Sequence, residues 1–133
     1  MTVLLDANVL IALVDATHEH HQVASTWAAN ATAGSLRTCP TVENAMLRYL
    51  IRTNLPAGDA HAILESVHGD ERFAFVKEST SLRRESLTGV IGFRQVTDVY
   101  LCQVAQRARA KLATFDRGLG MLRPHDTEVL ATE

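Results

Sequence analysis

The sequence predicts an α/β fold in which a parallel sheet is covered by helices on both faces. Short apolar runs alternate along the chain with segments whose apolar residues recur at spacings of three and four. The apolar runs are continuous, which is typical of strands buried on both faces of a parallel sheet. With 133 residues and no internal repeat or linker, the chain is predicted to form a single domain over residues 1–133.

Four to five strands are predicted for this sheet. Each candidate is a short run rich in β-branched or aromatic residues, and polar, Gly or Pro residues border most of these runs. The candidates are residues 2–5, 36–39, 73–76 and 111–115, with 128–130 as a possible fifth.

Helices are predicted between these strands from the three-and-four spacing of apolar residues. Thr41 and Thr97 are predicted as N-caps, and Gly34 as the end of the second helix. The periodicity is weakest over 79–90, where Gly89 and Gly92 interrupt or follow the pattern. The predicted helices cover 8–14, 20–33, 41–52, 56–67, 79–90 and 97–108.

Composition excludes some classes of protein. The formal net charge is −2, from 13 Lys and Arg against 15 Asp and Glu, so charge does not indicate a strongly basic nucleic-acid binder. No apolar run approaches the roughly 20 residues of a membrane span, and no signal peptide is recognised. A cytoplasmic protein is therefore expected, with Cys39 and Cys102 as buried, reduced thiols.

The most informative feature is a set of four acids at the edges of predicted elements. Asp6 follows the first strand, Glu43 the second and Asp116 the fourth, while Asp98 opens the helix that leads into the fourth strand. In open parallel sheets, ligands bind outside the carboxyl ends of the strands. These acids are therefore candidates for one shared site.

Each acid also has a structural interpretation. Asp6 could bind backbone N–H groups at a helix start, and Asp116 could belong to an ordinary turn. Glu43 and Asp98 could complement helix dipoles, although Glu43 is aligned with the apolar positions Leu47 and Leu50. Two carboxylates about 6 Å apart repel by roughly 3 kcal/mol at an effective dielectric of about 20. If the four acids converge, a hard cation such as Mg²⁺ or Mn²⁺ would stabilise them.

Four segments carry a family resemblance. LLDANVL, PTVENAMLRYL, RQVTDVYL and ATFDRGL, in this order and spacing, resemble the PIN domain and, more narrowly, the VapC-type toxins of bacterial type II toxin–antitoxin pairs. The resemblance covers nearly the whole chain, and its last two segments are the most specific.

The resemblance implies a three-layer α/β/α fold and a Mg²⁺- or Mn²⁺-dependent endoribonuclease. Asp6, Glu43, Asp98 and Asp116 match the family's catalytic and metal-binding acids. Its small polar supporting positions are matched by Asn8, Thr97 and Thr114. The implied partners are an RNA substrate, a cognate antitoxin protein and a second copy in a homodimer, with neither a membrane nor direct DNA binding expected.

Other functions stay open at this point. A non-catalytic PIN-like module could bind RNA without cutting it. A haloacid-dehalogenase-like phosphatase would also place an Asp after the first strand, but it needs a second Asp where this chain has Asn8. A receiver-type module would need paired acids after the first strand. Arg83, Arg84, Arg107, Arg109 and Lys111 could contact phosphates, although charged helix faces are usually only solvated.

Overall fold

A five-stranded, all-parallel sheet forms the centre of the molecule, which is described over residues 2–132 by a computed structural model. All five predicted strands are present; the first four are each one residue shorter than predicted, and the fifth is shifted by one residue. They are β1 (Val3–Leu5), β2 (Leu36–Thr38), β3 (Phe73–Phe75), β4 (Lys111–Thr114) and β5 (Thr127–Val129).

Six helices connect these strands. They are α1 (Ala7–Val14), α2 (His21–Ala28), α3 (Pro40–Arg52), α4 (Ala57–Gly69), α5 (Arg94–Arg107) and α6 (Arg117–Leu122). Right-handed crossovers place α1 to α4 on one face of the sheet and α5 and α6 on the other. Within these layers, α1 packs against α2 and α3, α3 against α4, and α5 against α6. The three-layer α/β/α fold is confirmed.

The strand order is β3-β2-β1-β4-β5. The chain adds β2 and β3 on one side of β1 and then β4 and β5 on the other, so the strand order reverses between β1 and β4. These two strands pair in register, with Val3 opposite Lys111 and Leu5 opposite Ala113. Their central residues Leu4, Leu5, Leu112 and Ala113 are fully buried, as expected for strands covered on both faces. This reversal is the topological switch point, where open α/β sheets leave a crevice for a ligand.

The predicted N-caps Thr41 and Thr97 are wrong, because both helices begin earlier in the sequence. α3 begins at Pro40 with Cys39 as its N-cap, so Thr41 lies inside the first turn. Proline suits this first helical position because its missing N–H would have no partner there. α5 begins at Arg94, which places Thr97 and Asp98 as its fourth and fifth residues rather than at its start.

The predicted helix over 79–90 is wrong. Only a short 3-10 turn, Arg84–Leu87, forms in this segment. Ser and Thr side chains compete with helical backbone hydrogen bonds, and Gly89 adopts a φ of +82°, which a right-handed helix does not allow.

The end of α2 and the presence of α6 also differ from the prediction. α2 ends at Ala28 rather than continuing to residue 33, before a segment that contains Asn30 and Thr32. α6 was not predicted, because Gly118 and Gly120 lower helix propensity. The side chain of Asp116 nevertheless caps it by accepting a hydrogen bond from the backbone N–H of Leu119 at 3.1 Å.

No helix within residues 2–132 has both the length and the apolar character needed to cross a membrane.

Candidate active site at the sheet switch point

Asp6 is the best-held acid of the predicted site. It follows β1 directly, is only 8% exposed, and its backbone N–H donates to the carbonyl of Ala113 at 2.9 Å. Its Oδ2 accepts a hydrogen bond from the hydroxyl of Thr114 at 2.8 Å. Its Oδ1 accepts one from the backbone N–H of Ala7 at 2.7 Å and so caps α1. The structural interpretation of Asp6 is therefore correct, and one side of its carboxylate is fixed by neighbouring strands.

The charges of Asp6, Asp98 and Asp116 interact, since Asp116 affects the ionisation of Asp6 and both Asp6 and Asp116 affect that of Asp98. Burial, followed by the charges of Asp6 and Asp116, raises the pKa of Asp98 to about 6. Burial also raises the pKa of Asp6, with a smaller contribution from Asp116, against the lowering effect of hydrogen bonds from Thr114 and Ala7. The three aspartates therefore belong to one electrostatic site, although they come from distant parts of the sequence.

Glu43 lies on the β2 side of the same sheet edge. It is in the first turn of α3 and is 8% exposed. Its Oε2 accepts a hydrogen bond from the hydroxyl of Thr38 at 2.6 Å and lies 2.7 Å from Nε2 of His68. Glu43 is not among the charges that raise the pKa of Asp6 or Asp98. The structure thus brings three of the four predicted acids together and gives the fourth hydrogen-bond partners of its own.

The predicted supporting residues differ in what they contact. Thr114, fully buried at the end of β4, donates to Asp6 and accepts a hydrogen bond from the backbone N–H of Asp116 at 3.1 Å. It therefore connects two of the acids. Asn8 and Thr97 are exposed, and within residues 2–132 their side chains form no hydrogen bond to an acid. Their supporting role stays a prediction.

Two residues that contact a predicted acid, Thr38 and His68, were missed from the sequence. Thr38 ends β2 as Thr114 ends β4, and each threonine donates its hydroxyl to an acid of the site. A threonine at the carboxyl end of a strand, followed by an acid within a few residues, was the available signal. His68 lies 25 positions from Glu43 in the sequence, and no local pattern connects the two residues.

The donor set suits a hard divalent cation, because it consists of carboxylate oxygens whose mutual repulsion a cation would relieve. Burial raises the pKa of both Asp6 and Asp98, and no cationic side chain contributes to lowering either pKa. A bound cation would supply that missing positive charge. However, no three His, Cys, Asp or Glu side chains within residues 2–132 surround a point that could hold a metal ion. The chemistry of the donors fits a cation, while their side-chain positions do not form a closed ligand set.

A family model and curated proteins both match most of this chain. The family model described as PIN domain matches residues 3–122. Ribonuclease VapC29 of Mycobacterium tuberculosis is 43% identical over 122 residues, which are 92% of this chain and 91% of that protein. Ribonuclease VapC38 of the same species is 36% identical and covers 87% of this chain and 86% of its own.

A solved structure shares the fold. The crystal structure of the M. tuberculosis sarcin-ricin loop cleaving toxin VapC20 has a TM-score of 0.68, with 91% of this chain and 95% of that chain covered. At 13% identity, this likeness supports the fold alone.

The parallel sheet, the acids at its switch point and the family match define a PIN-domain protein, and the chain belongs to the PIN-domain family. Its identity to the curated relatives places it more narrowly among the VapC proteins, as the resemblance of the four segments implied.

Proposed function

We propose that this protein is a metal-dependent endoribonuclease that acts as the toxin of a toxin–antitoxin pair. The observation that carries the proposal is the group of three aspartates, Asp6, Asp98 and Asp116, whose charges interact at the switch point between β1 and β4. The named function of the curated relatives, ribonuclease, supports it.

The four acids and the two threonines that contact them have different proposed roles. Asp6 and Asp98 would hold the cation, and Asp116 and Glu43 would complete its surroundings. When bound, Mg²⁺ or Mn²⁺ supplies a Lewis acid that polarises a phosphodiester and acidifies water. Thr114 fixes the orientation of Asp6 through its 2.8 Å hydrogen bond, and Thr38 fixes that of Glu43. Buried, preorganised carboxylates need no rearrangement before the reaction, which is a condition for efficient catalysis.

The reaction proposed is hydrolysis. Water attacks the phosphorus atom, the bond to the 3′ oxygen breaks, and the products carry a 5′ phosphate and a 3′ hydroxyl. The 2′ hydroxyl of RNA is not the nucleophile. The pKa of Asp98 is raised to about 6, so the charge of this carboxyl changes close to neutral pH.

The toxin role implies an antitoxin that covers the site, a homodimer and a cytoplasmic location. These follow from the VapC relationship and are proposals for this chain. Co-purification with the product of a neighbouring antitoxin gene, followed by loss of nuclease activity in the complex, would support the first of them.

Cleavage of total cellular RNA by the purified protein tests the central proposal. The reaction is run with Mg²⁺, with Mn²⁺ and with EDTA, for the unmodified chain, Asp6→Asn and Asp98→Asn. Asp59→Asn is the matched control, because Asp59 is an exposed first-turn acid of α4. We expect metal-dependent cutting by the unmodified protein and the control, with loss in the two site variants and 5′-phosphate ends on the fragments. Cutting that persists in EDTA or in Asp6→Asn would contradict the proposal.

A further inference from the structure

A groove between α1 and α3 begins beside the proposed active site. It encloses about 610 Å³ and is lined at its upper end by Ala7 and Asn8, the two residues that follow Asp6. Both helices start at the carboxyl edge of the sheet, so the groove runs from that edge along the outer surface of the domain. We call this surface the α1/α3 groove.

Two arginines of α3, Arg48 and Arg52, supply the charge of the α1/α3 groove. Both are exposed, and within residues 2–132 neither guanidinium pairs with a carboxylate. The guanidinium of Arg52 lies 5.9 Å from the centre of the Tyr49 ring, whose hydroxyl donates to Asp15 at 2.9 Å. The groove therefore carries uncompensated positive charge in a chain whose formal net charge is −2.

The position of these arginines relates them to the site. Glu43 is in the first turn of α3, and Arg48 follows it by five residues, which is about 7.5 Å along a helix axis. Arg52 follows Arg48 by a further four residues and lies on the same face of the helix. The two cations therefore form a line that leads away from the proposed active site.

The α1/α3 groove is lined by apolar side chains as well as by the two arginines. Ile11 is buried beneath it, and Ile51 lines it while remaining 47% exposed. A surface that combines cations for phosphates with apolar area for bases is typical of single-stranded nucleic-acid binding. An acidic protein segment would find the same charges, but RNA is favoured because the groove begins at Ala7 and Asn8, the residues that directly follow the proposed catalytic Asp6.

We infer that the α1/α3 groove binds the single-stranded RNA that flanks the cleaved bond, with Arg48 and Arg52 contacting its phosphates. This inference rests on the proposed ribonuclease function. It assigns the substrate path to the α1/α3 side of the site rather than to the basic residues near the end of α5. Arg107 and Lys111 lie at the opposite, amino edge of the sheet, where α5 ends and β4 begins.

Binding is measured with a short fluorescein-labelled single-stranded RNA of mixed sequence. Every protein compared carries Asp98→Asn, which prevents cutting. Arg48→Gln/Arg52→Gln is compared with Arg107→Gln/Lys111→Gln, which removes the same charge from exposed positions. We expect the first pair to weaken binding about tenfold and to reduce the slope of log affinity against log salt by about 1.4, since each phosphate contact in single strands contributes about 0.7. The second pair should change neither quantity.

Cleavage by the corresponding pairs without Asp98→Asn gives a second measurement. For a defined RNA substrate, Arg48→Gln/Arg52→Gln should raise KM about tenfold and leave kcat within about twofold, because the arginines do not touch the reacting atoms. Equal RNA affinity in both pairs, while the unmodified chain cuts RNA, would overturn the groove assignment alone. Unchanged RNA affinity with lost binding of a polyglutamate peptide would overturn it in favour of an acidic protein partner. If the unmodified chain neither binds nor cuts RNA, the proposed function itself fails.

Discussion

The hydroxyl of Thr114 donates to Oδ2 of Asp6 at 2.8 Å, at the point where two adjacent parallel strands end. The threonine is fully buried and the aspartate is 8% exposed, so this hydrogen bond is shielded from water. Because it lowers the pKa of a carboxyl that burial raises, it keeps Asp6 closer to its charged form.

Thr114→Val is expected to destabilise the fold and to weaken nuclease activity. The change keeps the shape of the side chain but leaves the buried carboxyl of Asp6 without its hydrogen bond from the hydroxyl, a loss of about 1–3 kcal/mol. Denaturant unfolding at neutral pH measures the loss, and kcat/KM for RNA should fall by roughly tenfold or more. Thr114→Ser keeps the hydroxyl and should retain most of both quantities. Equal losses in the valine and serine variants would show that packing, and not the hydrogen bond, is responsible.

Asp98 is expected to make stability depend on pH in the opposite direction from an ordinary salt-bridged aspartate. Its pKa is about 6 in the folded protein against a reference value of 3.8, so the folded state binds the proton more tightly. Stability is therefore expected to fall as pH rises from about 4 to about 6, and to stay lower above that range.

Asp98→Asn removes this ionisation and should raise the melting temperature at about pH 7, measured in EDTA so that no cation compensates the charge. The gain should shrink towards about pH 4, where the wild-type carboxyl is protonated. Asp59→Asn, at an exposed position outside the site, is the matched control and should show no such pH-dependent gain. A lower melting temperature for Asp98→Asn at neutral pH would contradict the raised pKa.

Divalent cations are expected to stabilise the folded protein through the same carboxylates. A ligand that binds only the folded state at about 100 times its Kd adds about 2.7 kcal/mol to the free energy of unfolding. Thermal unfolding is followed while Mn²⁺ is added to protein first treated with EDTA. The unmodified chain should shift upward, and Asp6→Asn and Asp98→Asn should shift much less. An identical shift in all three proteins would place the bound ion elsewhere.

Much of the fold could be predicted because it depends on local patterns. Continuous apolar runs located all five strands, and their alternation with helices predicted a parallel sheet. The missed helix α6 shows where local patterns fail, because two glycines argue against it. Its stability comes from the Asp116 cap and from close packing, since a side chain at Gly120 would collide with Val129. Tertiary contacts of this kind are not visible in a single sequence.

The candidate site shows the same limit. The sequence located the acids, because carboxylates beside buried strands are unusual, and the switch point explains why Asp6 and Asp116 become neighbours. It did not show that the carboxylate of Glu43 has Thr38 and His68 as hydrogen-bond partners. That arrangement depends on His68, which approaches from α4 through packing of α3 against α4.

His68 is expected to position the carboxylate of Glu43. Nε2 of His68 and the hydroxyl of Thr38 both approach Oε2 of Glu43, at 2.7 and 2.6 Å. This leaves Oε1 without a hydrogen bond from residues 2–132, and under the proposed function it is this oxygen that would contact the cation. His68→Ala removes one of the two contacts and should allow the carboxylate to rotate. Since misplacement of a catalytic group by about 1 Å can cost up to 100-fold in rate, and Thr38 remains, we expect kcat to fall by roughly tenfold with little change in KM.

His68→Gln separates positioning from folding. Its side-chain amide can donate a hydrogen bond from nearly the same place, so it should restore much of the kcat lost in His68→Ala. His61→Ala is the matched control, because His61 is an exposed histidine of the same helix whose ion-pair partner is Glu65. Melting temperatures of the three variants should lie close together, since His68 is half exposed. If His68→Gln is as slow as His68→Ala while both melt like the unmodified protein, the hydrogen bond to Glu43 does not position it for catalysis.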